Sequence, residues 1–378
     1  MKYIKYLIFL LILGNSCTKG STKTLLFVGS FTEGIASTGI YIYELDTETG
    51  GLSLLNSEQN LINPSFLKIA PNGKYLYSVL ESQLPYNGRI AAFAVDSLSG
   101  KLRLINTQDS GGRNPAHLSI NENEKFLVNS NYTDASFSVF NIKRGGGLAP
   151  LDQIFTFKDS SIIEGRQDEA HIHSTNFSPD GKYLFAQDLG SDKIWKFKIQ
   201  KENDSKLNLV SNGFVKVRPG SGPRHFTFHP NGSFAYGIAE LSGSVTAYSY
   251  ENGNLNFIEN YLTYRSDQEI YRAADIHISP DGKFLYASNR GPNEDSIVIY
   301  SIDEKTGKLG LEGHQDTHGE HPRNFAIDPS GKILLVANQF TDNVVIFRRD
   351  IETGKLTKLP HELTVPNASS LQLRTYHR

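Results

Sequence analysis

A single cysteine, Cys17, in 378 residues has no partner in its own chain. A disulfide framework is therefore excluded, as is a structural zinc site built on several thiolates. An excess of one charge is missing too: 38 Lys and Arg against 40 Asp and Glu leave a formal net charge of −2, with a pI near 6.6. No dense basic run occurs, which argues against a nucleic-acid partner. From position 21 to 378 there is no low-complexity linker and no helical periodicity between the apolar segments. Trp-Asp dipeptides are absent, which argues against a WD-repeat scaffold. Gly145-Gly146-Gly147 lacks the Lys-Ser/Thr and following helix of a phosphate loop and reads as a hairpin turn.

What is abundant is a repeat. Ser178 to Phe185 reads SPDGKYLF, and relatives of it begin at Ala70, Asn121, His229, Ser279 and Asp328. The marks at Pro71, Glu122, Pro179, Pro230, Pro280 and Pro329 are spaced by 51, 57, 51, 50 and 49 residues. Within each unit an alternating strand meets a Pro-Asn/Asp-Gly turn, and an aromatic-rich second strand leaves it. A third alternation such as Ser244 to Tyr250 follows, then a last strand after turns such as Thr306-Gly307-Lys308-Leu309. The pattern predicts an all-β fold, a seven-bladed β-propeller with four antiparallel strands per blade. The six marks leave one blade to be shared: Thr24 to Ser30 and Gly39 to Glu44 supply middle strands, and Ser369 to Leu373 supplies the inner strand that closes the ring. Asp180, Asp281 and Asp328 sit in the repeated turns, where turn chemistry accounts for them without a calcium site.

Residues 1–20 are of another kind. Lys2 and Lys5 precede the apolar run Tyr6 to Leu13, which is too short to span a bilayer, and small residues then lead to Cys17. This predicts an export signal with lipid attachment at Cys17, an exported cell-envelope lipoprotein held to the membrane only by its anchor. The position three before the cysteine is Gly14 rather than leucine, with Leu13 one step further away. If this segment is not a signal, the chain is expected to be cytoplasmic. Residues 21–378 form the propeller domain, expected as a monomer.

Hairpin geometry also locates a site. Residues just before each inner strand and just after each second strand gather at one mouth of the channel. Those positions hold Asn114 to His117, His171 to His173, Pro223 to His225, Arg272 to Asp275 and Pro322 to Asn324, facing Glu81, Asn131-Tyr132, Asp188, Glu240, Asn289-Arg290 and Asn338-Gln339. Capping of strand ends explains Asn131, Asn338, Asp188 and His117. Arg224, Arg290 and Arg323 point to an anionic or strongly polar guest. The long 57-residue step falls in Lys158 to Ala170, directly before His171, and predicts an enlarged loop able to act as a lid.

Gly29 to Thr32, Asn63 to Leu67, His171-Ile172-His173 with Asp188 to Lys193, Gly222 to His225 and Pro322 to Ala326 together resemble the seven-bladed propeller lactonase family. That family holds bacterial-type 6-phosphogluconolactonases and fungal carboxymuconate lactonising enzymes, and the likeness runs from Thr24 to about Leu373. Glu169-Ala170 departs from it where a proline usually precedes the paired histidines. The resemblance places the family's active cluster on His173, Arg224, Glu240 and Arg290. His117, His171, Asp188, His225, Asn289 and Arg323 are the accompanying candidates for substrate binding.

The expected reaction is hydrolysis of a sugar-acid lactone such as 6-phospho-D-glucono-1,5-lactone. His173 would act as base, Glu240 would hold its imidazole or a water, and Arg224 and Arg290 would bind the carbonyl and the anionic group. No metal or other cofactor is called for. The alternatives are a muconate-type lactonising enzyme and an exported, non-catalytic propeller that binds glycans or proteins. The export signal favours an unphosphorylated lactone, because phosphorylated sugar lactones are cytoplasmic metabolites.

Overall fold

The repeated tripeptides bend the chain as their chemistry demands. At Ser178-Pro179-Asp180-Gly181 the Asp180 carboxylate accepts from Ser178 Oγ and from the Lys182 N–H, and Gly181 sits at φ +64°, a region that a Cβ disfavours. The turn joins Ile172–Phe177 to Tyr183–Asp188 as an antiparallel hairpin. The computed structural model describes residues 22–34, 38–81, 85–203 and 206–377. The export signal read in 1–20 and the lipid site at Cys17 lie outside the described residues.

Among those residues the chain forms 28 strands in seven four-stranded antiparallel sheets, with no helix. The first six blades start from the inner strands Leu67–Ile69, Pro115–Ile120, Ile172–Phe177, Pro223–Phe228, Ala273–Ile278 and Pro322–Ile327. The seventh is shared, with Ala368–His377 innermost, then Thr22–Ser30, Ile40–Leu45 and Leu52–Glu58. Its closing strand is longer than the Ser369 to Leu373 expected, pairing from Ala368 opposite Ser30 to His377 opposite Thr22.

The core is divided among the blade interfaces rather than gathered in one centre. Phe234, Tyr236 and Val245 of the fourth blade pack on Leu285, Val298 and Tyr300 of the fifth. Six comparable clusters fill the remaining interfaces, including the one between the shared seventh blade and the first, where Phe27 and Ile42 meet Leu76 and Phe93. Each sheet is thus apolar on both faces, and burial of that surface at about 25 cal/mol per Å² drives ring closure. A polar latch repeats between blades. Tyr77, Tyr236 and Tyr286 donate from their hydroxyls to the carbonyls of Gly146, Gly307 and Gly354 in the next blade. Those turn glycines are required: a Cβ on Gly307 would lie 2.4 Å from the Phe234 ring.

One irregularity recurs at the mouth end of the inner strands. Ile172 pairs with Asp188 and Ser174 with Gln187, so His173 is the extra residue of a β-bulge. The same shift makes Arg224, Arg323, Ala116 and Ser369 the extra residues of their own strands, and Ala274 and Asp275 share the corresponding place in the fifth blade. A bulge takes a side chain out of the strand's alternation and re-aims it.

Candidate active site

The bulges aim their side chains at one cavity. It has a volume of about 250 Å³ and is lined by Glu81, Asn114, Ala116, Tyr132, His173, Arg224, Glu240, Arg290 and Arg323. A narrower neck continues inward between His173, Arg224 and Arg323, past Ser65, Phe66, His225, Asn324 and Ser369. A larger, shallower groove of about 560 Å³ lies beside the loop before His171, lined by groups such as Arg113 and Asp134, which satisfy each other. The central cavity differs in holding buried ionisable groups that converge, the mark of a functional site.

Glu240 follows directly on the second strand Phe234–Ala239, and its carboxylate is 6% exposed. Oε2 accepts from Arg224 Nε at 3.0 Å and Arg290 Nη2 at 2.8 Å, and Oε1 accepts from Arg166 Nη2 at 2.6 Å. Burial opposes the Glu240 charge, but Arg290, Arg224 and Arg166 outweigh it and hold the carboxyl at about 2. Of the expectation that Glu240 holds the His173 imidazole or a water, the imidazole contact is corrected here: its oxygens accept from three guanidiniums from three separate parts of the chain. Arg166 was not among the candidates. It lies in the long loop before His171, which Ser161 Oγ ties to Asp192 and Gln167 Nε2 ties to the Leu189 carbonyl.

His173 is 6% exposed, and its Nδ1 has no hydrogen-bond partner among the described residues. The Tyr132 and His225 rings meet it edge-on at 5.6 and 5.1 Å. Burial, and then the Arg224 charge, hold this imidazole well below the ordinary histidine range, so the resting ring is neutral and keeps a nitrogen lone pair. Arg290 is fixed by the Arg272 carbonyl on Nε and by His321 Nε2 on Nη1. Arg323 lies over the Phe31 ring at 5.2 Å and makes no hydrogen bond or ion pair among the described residues. Glu81 accepts from Ser65 Oγ. Burial pushes Glu81 upward against the pull of Arg323. Around the cavity the four guanidiniums of Arg166, Arg224, Arg290 and Arg323 therefore face the two carboxylates of Glu81 and Glu240.

The remaining candidates divide. His225 reaches the neck of the cavity. His117 packs beneath it, against Phe66 and the His225 ring, and does not line the cavity. His171 stacks on Tyr132 with ring centroids 4.4 Å apart. Asp188 and Asn289 are corrected as substrate contacts. Asp188 accepts from the backbone of His171, Gly190 and Ser191 and from Trp195 Nε1. Asn289 donates to the Thr263 carbonyl and Ser296 Oγ within its blade interface. Among the described residues no group of His, Cys, Asp and Glu is arranged to hold a metal ion.

A seven-bladed propeller whose mouth carries bulge-borne arginines around a neutral histidine defines a class of small-molecule sites. Within it, the family model described as "Lactonase, 7-bladed beta-propeller" matches residues 25–373, and the chain belongs to that family. It is similar to a 6-phosphogluconolactonase of Formosa agariphila, 60% identical over 93% of this chain and 99% of the relative. A 6-phosphogluconolactonase of Bacillus subtilis is 34% identical over 91% of this chain and 97% of its own. Among solved structures, the periplasmic gluconolactonase of Pseudomonas aeruginosa superposes with a TM-score of 0.87 at 34% identity, covering 93% of this chain and 99% of that one.

Proposed function

We propose that this chain hydrolyses the lactone of a sugar acid, of the glucono-1,5-lactone type, in the cavity at the channel mouth. The observation that carries the reading is the unpartnered, neutral His173 imidazole beside an excess of guanidinium groups. Water attacks the lactone carbonyl carbon while His173 takes its proton, and Arg224 stabilises the oxyanion that develops. Collapse of the tetrahedral intermediate breaks the bond to the ring oxygen, which takes the proton back from His173 to leave the open-chain acid. Arg323, with only the Phe31 face for company, is the anchor for an anionic or polar group at the far end of the substrate. Glu240 serves as the hub that holds Arg224, Arg290 and Arg166 in place.

The names of the relatives favour a 6-phosphorylated substrate, whereas the export signal expected in residues 1–20 and the periplasmic structural neighbour favour an unphosphorylated one. Hydrolysis of D-glucono-1,5-lactone and of its 6-phosphate by the wild type, His173→Ala and Arg323→Ala decides both points. His173→Ala should lower kcat on the order of 10²- to 10⁴-fold, the usual worth of a general base. Arg323→Ala should raise KM with kcat nearly intact, and more for the phosphate ester if that is the substrate. Wild-type activity unchanged in His173→Ala would dismiss this imidazole as the base.

A further inference from the structure

Arg224 is clamped on two of its three nitrogens. Nε donates to Glu240, and Nη1 donates to the Ala274 carbonyl and to His225 Nε2. Nη2 alone has no hydrogen-bond partner among the described residues, and Arg224 lines the cavity. A guanidinium cannot accept a hydrogen bond, so His225 Nε2 must present its lone pair, and the proton of a neutral ring must sit on Nδ1. Nδ1 faces Asp275 Oδ1 at 2.7 Å. The Asp275 carboxylate is 2% exposed, and it also accepts from His277 Nε2, Asn324 Nδ2 and the backbone of Ile276 and Phe325. Five donors around one side chain require a group that only accepts, an ionised carboxylate. Asp275 itself comes from the bulge of the fifth blade, so it reaches across the interface to a ring in the fourth.

We propose that Asp275 is a positioning residue that acts through His225: it holds the ring in the tautomer that accepts from Arg224, and so fixes the free Nη2 edge toward the substrate. The inference rests on the cavity being the lactone site. Two substitutions at position 225 separate this role from a merely structural one. In His225→Asn the side-chain amide occupies the place of Nδ1 and keeps a donor for Asp275 but offers nothing to Arg224. In His225→Gln the longer amide reaches the place of Nε2 and accepts from Arg224 but loses Asp275.

On D-glucono-1,5-lactone, kcat of His225→Asn should fall at least about tenfold below that of His225→Gln at similar KM, the worth of one hydrogen bond to a charged group. Tm should follow the opposite order, with His225→Gln the less stable. Equal kcat in the two variants, or kcat following the order of Tm, would overturn the proposal. So would a ¹⁵N spectrum of the wild type in which His225 carries its proton on Nε2. If the wild type hydrolyses neither glucono-1,5-lactone nor its 6-phosphate, the lactonase reading fails. The contrast is then read by calorimetry as affinity for 6-phosphogluconate: weaker binding by His225→Asn than by His225→Gln supports the positioning role, and equal binding overturns it.

Discussion

Four histidines lie at or beneath the mouth, His173 and His225 buried and His117 and His321 half-buried, and desolvation is the largest force on each ring. His225 is lowered to about 4 and His321 to about 3. In the unfolded chain each ring titrates near its ordinary value of about 6.5. Between that pH and about 4 the unfolded chain holds protons that the folded rings refuse, so unfolding takes up protons and stability falls as the pH falls. Glu240, held at about 2, adds to the same slope below its ordinary range. Tm should therefore drop progressively from pH 7 to pH 4.5, and His225→Gln should flatten the upper part of that curve. A Tm independent of pH across this window would contradict neutral burial of these rings. His117, His173 and His225 were legible in the sequence, because strand ends of a propeller must gather at its mouths, whereas His321, one residue before its strand, was not. Their partners were not: Glu240 meets arginines from the long loop, its own blade and the next blade, and no local spacing encodes that meeting.

Simple strand alternation would put His171 and His173 on the same face, and the bulge at His173 breaks that alternation. His173 turns inward, while His171 is left to stack on Tyr132. The same bulge falls at Arg224 and Arg323, whose side chains line the cavity, while His225 and Asn324 after them line only the neck behind it. Nothing in a period of two announces an extra residue, which is why the neck of the cavity had to be seen rather than read. The long loop was visible as the 57-residue step, yet Arg166 within it belongs to no periodic pattern. Its ion pair with Glu240 is half open to solvent on the arginine side, 41% exposed. Without Arg166 the buried Glu240 carboxylate still accepts from Arg224 and Arg290, so Arg166→Ala should lower Tm only slightly. Activity should fall severalfold, because Glu240 loses the donor that fixes Oε1, and Arg166→Lys should restore part of it. Steady-state kinetics beside a thermal melt reads both; wild-type kinetics in Arg166→Ala would confine the loop to a covering role.

The ring is closed by strands from opposite ends of the chain, and every interface depends on that closure. Ala368 and Leu371 are buried against the sixth blade, while Ser370 Oγ accepts from the Leu67 N–H of the first. Removing residues 368–378 deletes an inner strand of ten residues, bares the edge of Thr22–Ser30 and opens two blade interfaces. Against a usual net stability of about 5–15 kcal/mol, a loss of that extent should leave no cooperative melt and an aggregating chain in size-exclusion chromatography. Removing only residues 377 and 378 should be tolerated. Equal melts for the two truncations would refute closure by this strand.

Direction is the less obvious consequence of the same strand. Ala368–His377 runs from the mouth toward the far side, where Tyr376 bonds to the carbonyl of Gly73 in a tripeptide turn, and Thr22 lies opposite His377. The outer ends of the first and last described strands, Thr22 and His377, therefore lie at the pole away from the cavity. A support or a surface coupled beside Thr22 or His377 would hold every molecule the same way up, with its arginine-lined opening turned outward to whatever flows past.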